Sequence, residues 1–193
     1  MAQIDNPEKK RIILTASLRQ GITDHCRRKL SGRFLAEEER NRKAYGLLAG
    51  KADGELITVK ACLPLLKNAR SIEPHRGFMD RMMQEHAIES ETPLAKRGWV
   101  ADPAELTAAV SKFKGQGLSL IGSYHMHRVA WDHDKDRDTP TTLDTILGKD
   151  SRLIMMIISM VDPNHPTIRA FYEGRGDREI PISIVDEAMD RDF

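Results

Sequence analysis

Two histidines at the end of an apolar segment are the feature that most limits the possible folds of this chain. His125 and His127 follow residues 117–122, a short apolar run that contains two glycines and predicts a buried strand. Because side chains alternate along a strand, both histidines point to the same face. They form a pair of candidate metal ligands, and a carboxylate from later in the chain would complete a catalytic zinc centre with one open position. An isolated His-x-His is more simply explained as two polar residues at a strand end.

Length and charge exclude several classes of protein. The 193-residue chain is long enough to bury a substantial core, and its formal charge of +1 comes from interleaved acidic and basic residues. This composition gives no reason to expect nucleic acid or a membrane as partner. No apolar stretch approaches the roughly 20 residues that span a bilayer, and the N-terminus lacks the apolar segment of a signal peptide. Cys26 and Cys62 form no CxxC pattern. We expect a cytoplasmic protein.

Hydrophobic periodicity predicts one α/β domain over residues 11–193, preceded by a polar tail over residues 1–10. Asp102 and Pro103 are typical of the first residues of a helix. The charged segment 37–43 predicts a solvated loop or helix end. The predicted strands cover 12–14, 44–50, 56–63, 117–127, 153–161, 168–172 and 180–185, and the predicted helices cover 18–30, 78–83, 102–114 and 141–147.

Three segments in this order resemble the MPN/JAMM (JAB domain) family of zinc metalloproteases. They are Gly46-Leu47-Leu48-Ala49-Gly50, Leu120-Ile121-Gly122-Ser123-Tyr124-His125-Met126-His127 and Pro140-Thr141-Thr142-Leu143-Asp144. The resemblance covers residues 43–185 and is to a prokaryotic-type member. It implies a single domain with a cytidine-deaminase-like fold, in which helices flank a curved, mostly antiparallel sheet.

The resemblance also implies a site and an activity. His125, His127 and Asp144 would bind zinc, and the hydroxyl of Thr141 would support the developing oxyanion. Zinc-bound water would then attack a peptide or isopeptide bond in a protein or peptide substrate, including a ubiquitin-like modifier or its conjugate. Two neutral imidazoles and one carboxylate leave the zinc ion positively charged, which lowers the pKa of bound water to about 7. Thr141 is also explained as a helix N-cap, and Asp144 as an exposed helix residue.

Two departures from the family pattern bear on activity. Lys43 stands where the family carries the glutamate that deprotonates the zinc-bound water, and a protonated lysine cannot accept that proton. For the site to have a proton acceptor, a local rearrangement would have to bring one of the residues Glu37–39 to the zinc-bound water. The connection 128–138 is longer than in the family, with Arg128 in place of a proline, and is expected to be an insertion beside the active site.

The inserted loop and the methionines have plainer explanations than further ligand sites. Aspartates alternate at positions 132, 134, 136 and 138, but the glycine and glutamate that an EF-hand loop requires are missing, so a solvated loop is expected. His133 in this loop is a candidate extra ligand. The remaining histidines have no partner at ligand spacing, and the methionines of 78–83 predict core filling.

Two hypotheses of different classes follow. The first is a zinc metallopeptidase or isopeptidase. The second is a catalytically impaired metal-binding scaffold of MPN type that holds a protein partner. Lys43 favours the scaffold, whereas the retained His125, His127, Asp144 and Thr141 favour the enzyme, because a scaffold has no need of a complete ligand set.

Overall fold

The computed structural model describes Ile4 and residues 6–186. Within these residues, the strands are β1 Arg11–Thr15, β2 Tyr45–Asp53, β3 Leu56–Pro64, β4 Ser119–His127, β5 Ile154–Ser159, β6 Thr167–Tyr172 and β7 Ile182–Val185. The helices are α1 Ala16–Leu30, α2 His75–His86, α3 Pro103–Gly115 and α4 Thr142–Gly148. The predicted α/β class is confirmed. Among the helices of the described residues, none is long and apolar enough to cross a membrane.

The strands form one sheet in the order β6-β5-β4-β2-β3-β1-β7. Within the described part of the chain, three neighbouring pairs are antiparallel (β2–β3, β2–β4, β5–β6) and three are parallel (β1–β3, β1–β7, β4–β5). The expectation of a mostly antiparallel sheet is therefore only partly right, since half of these pairs are parallel. A tight turn at Gly54 permits the antiparallel hairpin, whereas parallel neighbours need a longer crossover, which α4 supplies between β4 and β5.

Helices cover both faces of the sheet. Leu48 and Ile121 belong to the larger core cluster together with Ile22 of α1. Their chain neighbours Leu47 and Leu120 point the other way and belong to a second cluster, to which α3 contributes Ala109 and Phe113. The central strands β2 and β4 are thus buried on two sides, which fixes their backbones.

The predicted polar tail is partly packed onto the domain. Ile4 is 2% exposed and joins the larger core cluster, and Pro7–Lys9 form a short 3-10 helix. Residues 1–3 and 5 of the predicted tail, and residues 187–193 of the predicted domain, lie outside the described residues.

A buried cluster of charges joins the segment after α1 to that helix. The side chains of Glu38 and Lys29 are both 0% exposed, with Lys29 Nζ 3.4 Å from a Glu38 carboxylate oxygen. Arg28 donates to both oxygens of Glu38, and the Leu35 N–H donates to one of them. The prediction that 37–43 is solvated is wrong at Glu38, because the segment folds back and these cations offset the cost of burying its charge.

His25 borders this cluster and gives the protein a pH-dependent stability. Its Nδ1 is hydrogen-bonded to the Tyr124 hydroxyl at 2.9 Å, and burial lowers its pKa to about 4. Between about pH 6.5 and pH 4 the unfolded chain binds a proton that the folded protein does not. We therefore expect the free energy of unfolding to fall with decreasing pH in this window, with His25 contributing up to roughly 1.4 kcal/mol per pH unit.

The measurement is urea unfolding in EDTA at several pH values. His25→Gln is expected to reduce the slope of stability against pH, whereas the exposed His165→Gln serves as the matched control and is expected to leave it unchanged. An unaltered slope in His25→Gln would contradict the assignment.

Candidate metal centre

The end of β4 positions the two histidines. β4 lies between β2 and β5, so that His125 pairs with Tyr45 on one side and with Ile157 on the other. The Nε2 atoms of His125 and His127 lie 3.0 Å apart. The predicted placement of both imidazoles on one face of a strand is confirmed.

Asp144, in the first turn of α4, brings a carboxylate to the same point. Its Oδ1 lies 3.4 Å from Nε2 of His125, and its Oδ2 lies 3.7 Å from Nε2 of His127. In a tetrahedral zinc site with bonds of about 2.0–2.1 Å, neighbouring ligand atoms lie about 3.3 Å apart. Among the described residues these three form the group of donors arranged to hold a metal ion. The donor set and its spacing fit zinc.

Thr141 orients the carboxylate of Asp144. As the N-cap of α4, its hydroxyl accepts from the Asp144 N–H at 3.2 Å. The same hydroxyl donates to Asp144 Oδ2 at 2.8 Å, and the Thr141 N–H donates to that oxygen at 2.7 Å. These bonds form a capping box, and they leave Oδ1 as the less engaged oxygen. In this conformation the hydroxyl proton of Thr141 is directed to Asp144.

The loop 128–139 fixes the orientation of His127. Nδ1 of His127 lies 3.0 Å from the carbonyl oxygen of Arg137, to which an Nδ1–H donates. This contact selects the tautomer whose Nε2 lone pair faces the other ligands. The carbonyl is held in place because the Arg137 N–H donates to Asp134 and the guanidinium packs 3.3 Å from the Trp131 ring centre. Residues 128–139 were expected to be a solvated loop, but at Arg137, 7% exposed, they are packed against the site.

The other candidates in this loop have structural partners. Asp134 accepts from Thr139, and Asp138 pairs with Arg169 at 3.0 Å. His133 packs on Trp131, with ring centres 5.4 Å apart, and is outside the group of convergent donors.

Burial keeps the two histidines neutral. It lowers the pKa of His127, and the neighbouring His125 lowers it further. Burial lowers the pKa of His125 in the same way. For Asp144, burial opposes ionisation, but the histidines and the donors of Thr141 outweigh it and lower the pKa of the carboxyl. Neutral imidazoles and an ionised carboxylate are the protonation states that bind a metal.

Lys43 is held beside the site by main-chain oxygens. It precedes β2 by two residues and lines the same cavity as the three ligands. Its ammonium donates to the carbonyls of Lys96 at 2.6 Å and Gly98 at 2.8 Å, and burial lowers its pKa to about 8. Residues Glu37–39 line a separate cavity, so in this conformation none of them lies beside the three candidate ligands.

Residues that sequence reasoning missed complete the surroundings of the ligands. The Tyr45 ring stacks on His125 at 6.2 Å between centres, and Trp99 stacks on Tyr45 at 6.1 Å. Tyr45 had a usable signal, since it opens a strand predicted beside the histidines. Neither Trp99 nor Arg137 carries a local signal, because both reach the site from distant or irregular segments.

Comparisons with known proteins give information on the fold alone. No family model matches the chain, and no curated protein matches it. Among solved structures, it is similar to protein DSY2949 from Desulfitobacterium hafniense, a Northeast Structural Genomics Consortium target with a solution structure. The TM-score is 0.61 at 23% identity, over 91% of this chain and 94% of that one. At this identity the likeness concerns the fold alone, and the chain has a mixed α/β fold that is shared over nearly the whole length of both proteins.

Proposed function

We propose that this protein is a zinc-dependent hydrolase of MPN/JAMM type that cleaves a peptide or isopeptide bond. The observation that carries the proposal is the convergence of the two imidazoles and the Asp144 carboxylate. The Nε2 atoms of His125 and His127 lie 3.0 Å apart, Oδ1 of Asp144 lies 3.4 Å from the first of them, and Oδ2 lies 3.7 Å from the second. Three protein ligands leave a fourth tetrahedral position free for water or substrate, which is the arrangement of catalytic rather than structural zinc sites.

Each residue of the site has a defined task in this proposal. When bound, zinc would supply a Lewis acid that lowers the pKa of water and polarises the substrate carbonyl. His125, His127 and Asp144 would hold the ion, while the Arg137 carbonyl and Thr141 keep two of these ligands in the binding orientation. The cavity beside the ligands receives the substrate. Thr141 would assist the oxyanion only after its hydroxyl turns from Asp144 toward the substrate.

The experiment that tests the function is metal analysis combined with cleavage of an isopeptide-linked substrate. We expect about one zinc per chain and slow turnover, because Lys43 occupies the position of the proton acceptor. The protein is purified without a chelator and then supplied with zinc. If it binds no zinc under these conditions, the proposed metal site is refuted.

Lys43→Glu is expected to raise the rate of hydrolysis by about 10²-fold or more, the usual contribution of a positioned general base. The new carboxylate would lie beside the ligands without the charge repulsion that an ammonium exerts on the metal. Single-turnover cleavage measures the effect. Lys43→Gln is the matched control, since it removes the charge without adding a base and is expected to give only a small gain.

A second candidate function has its own supporting observation. The Lys43 ammonium donates to two main-chain carbonyls, so the residue at the expected position of the general base has a structural role. This role favours a metal-binding scaffold that holds a protein partner. One zinc per chain with no turnover, unchanged in Lys43→Glu, would decide for the scaffold.

A further inference from the structure

The candidate metal centre lies in a cavity of about 490 Å³. The three ligands form one part of its lining, and α2 contributes the side chains of Met79 and Met83 to another. Three further lining residues are apolar and solvent-accessible, namely Phe78 at 44%, Leu147 at 40% and Val129 at 53% exposure. The cavity is therefore large enough and apolar enough to take several residues of an extended peptide.

The charges around the cavity are one-sided. Its cationic lining residues are Lys43, Lys96, Arg97, Arg128 and Arg137. Among the described residues that line it, Asp144 carries the one carboxylate, and this residue is a candidate metal ligand. The whole chain has a formal charge of only +1, so the excess of positive charge is local. A cavity of this kind attracts anionic ligands.

Arg137 has unused hydrogen-bonding capacity within this lining. Its Nε donates to the carbonyl of Val129 at 3.1 Å, but its Nη1 is buried and has no hydrogen-bond partner among the described residues. Asp134 Oδ2 lies 3.7 Å from Nη1, and it already accepts from the hydroxyl of Thr139. The indole N–H of Trp99, also on the lining, is likewise buried without a partner in the described part of the chain. Both groups are donors, so a ligand that brings acceptor oxygens would satisfy them.

Arg137 also lies close to the candidate metal ligands. Its carbonyl accepts from His127. Burial lowers the pKa of Arg137, and the charge of Asp134 and, less strongly, that of Asp144 oppose this effect. A planar guanidinium binds the two oxygens of a carboxylate in parallel, which neither an amide nor a hydroxyl reproduces.

We propose that the cavity binds an extended peptide that carries a carboxylate beside the bond to be cleaved, and that Arg137 is the residue that recognises it. The carboxylate is either an acidic side chain or a chain terminus. This assignment of a substrate class rests on the proposed function, because the bond to be cleaved is defined by the metal centre. The apolar residues at Phe78, Val129 and Leu147 would receive the neighbouring side chains.

The test uses dye-labelled pentapeptides that differ only in Glu or Gln at the centre and in a free or amidated C-terminus. Fluorescence anisotropy of the full chain in EDTA measures their affinity, so that no carboxylate binds a metal ion and no peptide is hydrolysed. We expect at least one carboxylate peptide to bind about tenfold more tightly than the uncharged one. The free and amidated forms then tell whether the side chain or the terminus is recognised.

Variants assign the preference to Arg137. Arg137→Gln is expected to abolish it, whereas Arg175→Gln removes a half-buried arginine paired with Asp177 outside the cavity lining and is the matched control. Arg137→Lys keeps the positive charge but removes the planar fork, so it is expected to weaken the preference about threefold, and it serves if Arg137→Gln does not fold. Equal binding of all four peptides to the unaltered protein would overturn the proposal, and so would a full preference in Arg137→Gln or, where that variant does not fold, in Arg137→Lys.

The outcome separates this inference from the proposed function. A carboxylate preference in a protein that cleaves none of the peptides after zinc is added supports the subsite and speaks against the hydrolase. Cleavage by the zinc-loaded protein without any preference supports the hydrolase and overturns the subsite.

Discussion

His127→Ala is expected to lose zinc at stoichiometric concentrations and to have no measurable hydrolase activity. In the proposed centre His127 would supply one of three ligand atoms, and its Nε2 lies 3.0 Å from that of His125 and 3.7 Å from Asp144 Oδ2. Removing an outer-shell partner of a zinc ligand costs about 10–100-fold in affinity, and removing the ligand itself costs more. Competition with a chromophoric chelator measures the affinity of the variant.

Two further variants bracket this result. His133→Ala removes a histidine that packs on Trp131 outside the group of convergent donors and is expected to bind zinc as the unaltered protein does. Thr141→Val removes the hydroxyl that orients Asp144 and is expected to weaken zinc binding by about 10–100-fold. Stoichiometric, tight zinc binding by His127→Ala would refute the centre.

Glu38→Gln is expected to destabilise the protein by about 3–5 kcal/mol, the usual effect of removing one partner from a buried ion pair. The amide leaves Lys29, 0% exposed, without a compensating charge. Burial opposes ionisation of Glu38, but the donors of Arg28 and Leu35 and the charge of Lys29 lower its pKa to about 2. Its stabilising contribution is therefore complete above about pH 4.5 and is lost as the pH falls toward 2.

Chemical unfolding at neutral pH measures this effect. The neighbouring Glu37 is exposed, so that Glu37→Gln is the matched control and is expected to change stability by less than about 0.5 kcal/mol. Similar unfolding midpoints for the two variants would mean that the buried cluster does not stabilise the fold.

Local patterns were sufficient for the core of the candidate site. The alternation of side chains along β4 predicts that His125 and His127 share a face, and Thr141 is predicted as the N-cap of α4. Both rules depend only on residues within four positions of one another. The prediction that Asp144 lies beside the two histidines came from the family resemblance. No local rule relates the end of a strand to a helix residue 17 positions later in the chain.

The features that sequence reasoning missed depend on long-range packing. Glu38 is indistinguishable in sequence from its exposed neighbour Glu37, and its burial follows from the return of the chain onto Lys29. The parallel pairing of β1 with β3 and β7 joins segments far apart in sequence. The contact between His127 and residue 137 is made by a carbonyl, a group that every residue carries and that no sequence pattern marks.

That carbonyl also determines how the protein could change in evolution. Point substitution at position 137 alters the guanidinium and leaves the acceptor for His127 in the chain, so that preference for a substrate can drift while the imidazole stays oriented. Insertions or deletions between His127 and Arg137 have the opposite consequence, because they displace the acceptor whatever residue occupies the position. Changes of length in this loop are thus expected to disturb the orientation of His127 more than changes of residue at position 137 do.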